Sequence, residues 1–412
     1  MAKIKPFKAV RPIADKVALV SSRTYEDYSE EELNYELSYN PFSFLHIINP
    51  GYKFHHKISG PQRFTLVKNR FQEFKEEKVL VTDEQPSFYL YQMQTRHTQF
   101  CGILASAFCQ DYATNSIKKH ENTIEYREQL FKEYLKTVGF NAEPVLLTYP
   151  EIPEIETILV KVKEKQPLYD FTTKDKIKHT LWAINQEKDI QIVQNHFKNI
   201  PSLYIADGHH RCASSFLLAE ELKAENPKHT GEEPYNYFMS YLISESNLKI
   251  YGFNRMITDL NGYTKERFLM ELDKWFRIEN RGLLLYKPTK KHHFSMYLDG
   301  DFYSLYLRKT RYKFTDSLSK LDSQILYKTI LEPILGIKDL RNDSRIEYGY
   351  GKHNILQMKD LIDRKKFSVG FSMVPVDVSE MKKIADEGLQ MPPKSTYIIP
   401  KLRSGLSIYE FH

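Results

Sequence analysis

Apolar and polar positions recur along this chain with two periods, and the switches between them mark out its elements. Over the first ~100 residues, short apolar runs bounded by Ser, Pro and Gly predict buried strands at Val17-Ala18-Leu19-Val20 and Phe44-Leu45-His46-Ile47-Ile48. Ser29 followed by Glu30-Glu31-Glu32 and Leu33 predicts a helix start with a capping box. Residues 87–93 and 100–108 are the next predicted strands. From 121 to 138 the spacing turns helical: Ile124, Phe131, Leu135 and Val138 share one face, and Gly139 is a natural stop. Residues 150–175, rich in Pro, Glu and Lys, predict a surface connection with one strand at Thr157-Ile158-Leu159-Val160. Residues 202–206 predict a strand and Asp207-Gly208 a turn. A helix then runs to about Asn226, with Ala213, Phe216, Leu217 and Leu222 on its buried side.

A second region starts near residue 235. It opens on a predicted strand at 237–243 and continues with a strand pair near 293–307, a helix at about 319–335, a strand at 367–374, and a helix from Val378 to near Gly388. The pattern predicts a mixed α/β (α+β) fold with domains at 1–230 and 235–412.

Composition narrows this picture. A chain of 412 residues with 41% hydrophobic and 27% charged residues can bury a sizeable core, which excludes a disordered protein. Three cysteines, Cys101, Cys109 and Cys212, are too few and too irregularly spaced for a disulfide framework or a zinc site. The opening Met-Ala-Lys-Ile-Lys-Pro-Phe lacks the apolar core of a signal peptide, and no stretch approaches the ~18–20 apolar residues of a membrane span. A cytoplasmic protein without a membrane partner is the expectation. The net charge of +6 suits an anionic ligand without requiring nucleic acid. Lys290-Lys291-His292-His293 reads as a solvated basic loop.

Chemistry concentrates in the strand–turn–helix at 203–226. A helix N-terminus offers unpaired backbone N–H groups and a partial positive charge, and Gly208 lets a phosphate come close to the backbone. His209, His210 and Arg211 fall in the first helical turn, where positive charge opposes the macrodipole. An anion bound among them would relieve that conflict. Arg211 can clamp phosphate oxygens, and Asp207 can hold Mg²⁺ together with phosphate. The competing interpretation pairs Arg211 with a nearby carboxylate and packs the histidines into the core. Two further segments carry weaker signals. Glu121, after Lys118-Lys119-His120, reads as a carboxylate at a helix start. Lys394, Ser395 and Thr396, after Pro392-Pro393, can donate to a phosphate or a substrate carboxylate, or form a plain solvated loop.

These segments together resemble the family catalogued as domain of unknown function 1015. The resemblance rests on Ile205-Ala206-Asp207-Gly208-His209-His210-Arg211, on Lys119-His120-Glu121 upstream and on Pro393-Lys394-Ser395-Thr396 downstream. Lys5-Pro6-Phe7-Lys8-Ala9-Val10-Arg11-Pro12, His179-Thr180-Leu181-Trp182 and Tyr397-Ile398-Ile399-Pro400-Lys401-Leu402 also fit, so it spans essentially the whole chain. The three main motifs, in the same order, are similar to those of free serine kinases. The resemblance implies a ParB/sulfiredoxin-like core with an added N-terminal region and a C-terminal α/β region. It implies transfer of a phosphoryl group from ATP or ADP to free L-serine or a similar hydroxylated metabolite. In that assignment Glu121 is the catalytic carboxylate, Asp207 binds metal, and Gly208, His209, His210 and Arg211 bind nucleotide phosphates. Lys394, Ser395 and Thr396 line the substrate side. Three departures stand out: Lys119 replaces a Pro of those kinases, the main motifs lie farther apart, and Thr24-Tyr25-Glu26 stands where the 1015 family usually has Pro-Tyr-Asp. Glu26 is the next candidate for a base.

A reading of a different class is a nucleotide-binding switch, or a ParB-like nucleic-acid-associated protein without kinase activity. Glu121-Asn122 followed by Arg127 loosely matches a Glu-Asn-x-x-Arg box, with the Arg two positions late. The lack of a helix-turn-helix signature and of a concentrated basic face argues against nucleic acid.

Overall fold

The strands at Phe88–Gln94 and Gln99–Phe108 are antiparallel neighbours, in register from Tyr89 opposite Leu104 to Gln94 opposite Gln99. In the computed structural model, which describes residues 2–54, 56, 58–350 and 354–411, this hairpin is the centre of a mixed nine-stranded sheet. Its order is Ile117–Lys118, Leu203–Asp207, Val145–Tyr149, Tyr237–Ser244, Gln99–Phe108, Phe88–Gln94, Lys178–Ile184 and Tyr169–Thr172, with Ile4–Lys5 also paired to Gln99–Phe108. Central strands of such a sheet are covered on both faces, which is why Phe88–Gln94 and Tyr237–Ser244 are buried almost throughout. Helices Pro153–Lys163 and Glu187–Asn199 bury Ile155, Leu159, Val162, Val193 and Phe197 with Leu90, Ile103, Leu147 and Leu242 of the sheet. A second core joins Val67, Phe71 and Phe74 of helix Gly60–Glu76 to Val138, Phe140 and Ile408, where a four-stranded sheet packs. Among the described residues no helix is long and apolar enough to cross a membrane.

The chain divides into two compact units, Met1–Leu248 with Pro400–His412, and Lys249–Ile399. The division falls after Leu248 rather than at 230–235, because Tyr237–Ser244 pairs with both Val145–Tyr149 and Gln99–Phe108 inside the first sheet. The last residues return to the first unit through Ile408–Glu410, which pairs with Ala9–Pro12 and Phe140–Asn141. The second unit holds a six-stranded antiparallel sheet and the short antiparallel pair Lys249–Tyr251 and Tyr397–Ile399. One face packs Phe268, Leu272, Ile325 and Ile330, and the other packs Met358 and Ile362.

The mixed α/β class agrees with the sequence pattern, and Ser29 and Glu32 form the expected capping box. Three predicted strands are helices. Val17–Val20 and Leu45–Ile48 are single helical turns. Residues 157–160 lie inside helix Pro153–Lys163, whose buried Ile155, Ile158, Leu159 and Val162 recur at helical spacing. Pro153 at its start, acidic residues in its first turn and lysines in its last were the helix signals a four-residue apolar run obscured. Burial also differs in two helices. Phe131 is exposed in helix Glu125–Val138. In helix His209–Glu225 Cys212, Ala213, Leu218 and Ala219 are buried, whereas Phe216, Leu217 and Leu222 are only partly so. Lys290-Lys291-His292-His293 is half-buried rather than solvated over its last residues: Lys291 pairs with Glu380, and His292 stacks on Phe314.

Candidate active site

Strand Leu203–Asp207 ends inside the sheet, and helix His209–Glu225 begins one residue later. Only Gly208 separates them, at φ 94° and ψ 32°, a left-handed conformation that glycine enters without a Cβ penalty. The tight turn brings the Arg211 guanidinium back over Gly208, so that a Cβ there would lie 3.0 Å from Arg211 Nε. Arg211 Nη1 donates to the Pro144 carbonyl at 2.7 Å, and Nη2 donates to Asp207 Oδ2 at 3.2 Å. Glu143 Oε2 lies 3.7 Å from the same guanidinium. The carboxylate pairing of Arg211 weighed from the sequence is therefore present.

Strand pairing brings the second motif alongside the first. Ile117–Lys118 runs parallel to Leu203–Asp207, with Ile117 opposite Leu203 and Lys118 opposite Tyr204. Parallel neighbours advance together, so Lys119, His120 and Glu121 leave the sheet at the same edge as Ala206 and Asp207. Glu121 Oε2 then sits 3.5 Å from His209 Nδ1. The helix expected to start at Glu121 starts at Glu125, directly after Ile124. Glu121 is therefore a loop residue and gains nothing from a macrodipole. The Ile124 N–H instead donates to His210 Nε2 at 3.1 Å, which ties this loop to the turn.

The His120 and His209 rings meet edge to face with centroids 4.6 Å apart. Burial, with help from His209, pushes His120 down to about 3 against the pull of Glu121 and Asp207. Burial likewise holds His209 at about 4, although Asp207 pulls it up. Both are neutral at pH 7, so His209 does not carry the helix-opposing charge its sequence position raised. Both ring nitrogens of His120, and Nε2 of His209, are buried without a hydrogen-bond partner among the described residues. Each such atom costs about 1–3 kcal/mol, and a core selected for stability alone does not concentrate them.

Asp207 is the electrostatic hub. Burial works to raise its carboxyl, but Lys401, Arg211 and His209 outweigh it and hold it below the ordinary carboxylate range. Lys401 Nζ lies 3.5 Å from Asp207 Oδ2. Asp27 faces the same charges: desolvation raises it, Lys401 and Arg23 lower it, and Glu26 and Asp207 raise it again, for a net upward shift. Sequence reasoning missed Lys401, Asp27 and Glu143 as neighbours of the turn. Lys401 belonged to a matching motif, and Asp27 follows the singled-out Thr24-Tyr25-Glu26, but neither had a spacing that tied it to Asp207. The predicted Lys394, Ser395 and Thr396 belong to the second unit. There the buried Ser395 hydroxyl donates to the Pro392 carbonyl at 2.7 Å and lies 2.9 Å from Ser323 Oγ. Lys394 is exposed and Thr396 half-buried.

Magnesium takes one or two carboxylates and completes its octahedron with phosphate oxygens and water. Asp207, held ionised with its side chain 40% exposed, fits the role of a single carboxylate ligand. Among the described residues no group of three or more His, Cys, Asp or Glu could hold a metal alone. An ion here would depend on a phosphate for its other ligands.

Residues 4–324 match the family described as protein of unknown function (DUF1015). No curated protein matches the chain. Among solved structures, a free serine kinase variant in complex with AMP is similar at 10% identity and a TM-score of 0.37, over 74% of this chain and 91% of that one. A conserved hypothetical protein from Pyrococcus furiosus is similar at 13% identity and a TM-score of 0.35, over 74% of this chain and 95% of that one. SbnI with a C-terminal truncation, from Staphylococcus aureus, is similar at 11% identity and a TM-score of 0.38, over 74% of this chain and 85% of that one.

Proposed function

The chain belongs to the DUF1015 family, and we propose that this member is a small-molecule kinase that transfers a phosphoryl group from ATP or ADP to free L-serine or a similar hydroxylated metabolite. The observation that carries this reading is the convergence of Glu121 with the 207–211 turn, two segments some eighty residues apart that parallel strand pairing sets side by side. One segment supplies a carboxylate and the other a set of anion-binding groups, which is the minimum that phosphoryl transfer to a hydroxyl needs.

Glu121, partly exposed and outside any helix, accepts the proton of the acceptor hydroxyl. The hydroxyl oxygen forms its bond to the terminal phosphorus while the bond to the leaving nucleotide oxygen breaks. Gly208 admits the phosphates to the backbone, and the first N–H groups of the helix, His209, His210 and Arg211 orient them. His209, neutral, flanks the carboxylate with Nδ1 3.5 Å from Glu121 Oε2. Mg²⁺ held by Asp207 would supply charge neutralisation on the transferring group. An Asp207 that held the ion would release Arg211, now on its Oδ2 at 3.2 Å, for the phosphate.

The test incubates purified protein with Mg²⁺, ATP or ADP, and a panel of free hydroxy amino acids and other hydroxylated metabolites. New phosphomonoesters are sought by mass spectrometry. O-phosphoserine or a related ester, lost in Glu121→Gln, supports the reading. Nucleotide binding without any phosphorylated acceptor across the panel rules out the kinase.

A further inference from the structure

The last residues of the first unit form a strap pinned at several points. Ser22 and Ser404 exchange backbone hydrogen bonds at 3.1 and 2.9 Å. Arg403 Nη2 donates to both carboxylate oxygens of Asp175, at 2.8 and 2.7 Å, from a nearly buried position. Ser404 Oγ donates to Glu143 Oε1 at 2.7 Å. Gly405, at φ 75°, lies directly on the Phe44 ring, where an added Cβ would sit 2.5 Å from Cγ. The strap ends in the strand Ile408–Glu410 of the four-stranded sheet. Lys401 therefore hangs from a rigid anchor two residues upstream of Arg403, and its ammonium is delivered to Asp207 from outside the strand–turn–helix.

We propose that Lys401 is a phosphate-binding residue, the second cationic arm of the site beside Arg211, supplied by the C-terminal strap. This rests on the nucleotide-binding reading above. Two cations converge on one oxygen: Arg211 Nη2 at 3.2 Å and Lys401 Nζ at 3.5 Å from Asp207 Oδ2. One carboxylate charge is shared between them, and the Lys401 contact is longer than a well-formed charged hydrogen bond. Lys401 is thus held at the turn, with its ammonium beside the Arg211 guanidinium. A nucleotide entering at Gly208 would bring several anionic oxygens to the place these cations already face. A lysine ammonium on a flexible stem suits that task as a mobile point charge, and Arg211 suits it as a fork. Glu143 links the two arms, since one of its oxygens accepts from Ser404 of the strap and the other lies 3.7 Å from Arg211. A purely structural Lys401 would only balance Asp207 and Asp27, and removing it would change stability without changing nucleotide affinity.

The test compares the full-length wild type with Lys401→Met and Lys401→Arg. Binding of ATP and ADP in Mg²⁺ is measured by calorimetry and folding by thermal melts. In parallel, acetic anhydride labelling of Lys401 is quantified by mass spectrometry with and without ATP. Lys401→Met should lose about tenfold to a hundredfold in affinity, as expected for one charged hydrogen bond. Lys401→Arg should retain most of it, and ATP should shield Lys401 from acetylation. Unchanged affinity in a folded Lys401→Met, in a wild type that binds nucleotide, overturns the role of Lys401 alone. Lost affinity with an unshielded Lys401 assigns the effect to Asp207 and also overturns direct contact. A wild type that binds neither nucleotide overturns both this proposal and the function it rests on.

Discussion

Gly208→Ala probes the turn on which the site is built. At φ 94° an L-residue incurs the left-handed penalty of about 1–2 kcal/mol. The new Cβ would also meet Arg211 Nε at 3.0 Å and Cζ and Nη2 at 3.1 Å, too close for comfort but against the end of a flexible side chain. The guanidinium therefore shifts by a few tenths of an ångström, weakening its bonds to the Pro144 carbonyl and Asp207. Arg211 is 28% exposed, so water replaces part of what is lost, leaving about 1 kcal/mol from this source. The total is about 2–3 kcal/mol. For a unit of this size that is a fall of about 4–12 °C in the melting temperature of the first unit, read by scanning calorimetry of the full chain. Nucleotide affinity should fall with it. The two contributions separate in a double-mutant cycle. An Arg211→Ala background removes the three atoms nearest the new methyl, so Gly208→Ala should cost chiefly its conformational share, leaving a coupling of about 1 kcal/mol. A single variant melting within 1 °C of wild type would refute the left-handed turn. Strict additivity in the cycle would refute the crowding of Arg211.

Three further outcomes follow from the same geometry. Glu121→Gln should lower turnover at least ~100-fold while nucleotide affinity and melting temperature barely move, because its carboxylate is in a loop rather than at a helix end; a folded variant of undiminished turnover places the base elsewhere, with Glu26 next. Arg211→Ala should weaken nucleotide binding by about 1.5 kcal/mol, the low end for a charged hydrogen bond, because the wild-type side chain would have to give up Asp207 and the Pro144 carbonyl to reach a phosphate; calorimetry showing equal affinity removes Arg211 from the site. Burial, with Arg403 adding to it, holds His179 at about 3, and Tyr91 Oη lies 2.8 Å from its Nδ1. The unfolded chain takes up that proton from about pH 6.5 downward and the folded one does not, so stability should decline as pH falls from 6.5 toward 3. Urea midpoints across that range should drop less steeply in His179→Phe, and a parallel slope in the two proteins would show that His179 does not carry the effect.

What the sequence alone determined is local and strongly patterned. Asp207-Gly208 between an apolar run and a helical one could only be a strand–turn–helix, since the left-handed residue there demands glycine and the periods on either side differ. Ser29 with Glu32, and Gly139 as a left-handed helix stop, were legible for the same reason: the interacting groups are neighbours in the chain. Short apolar runs were not legible, because four residues fit either period. That Val20 and Ile47 are buried is decided by what packs on them. The composition of the site was beyond local patterns altogether. That Glu121 meets His209, and that Lys401 from the C-terminal strap meets Asp207, follow from strand pairing and from ion pairs between residues 88 and 194 positions apart. The protonation of His209 was likewise a tertiary outcome: its position in a first helical turn raised the question of charge, and burial removed it, because desolvating an imidazolium costs more than Asp207 returns.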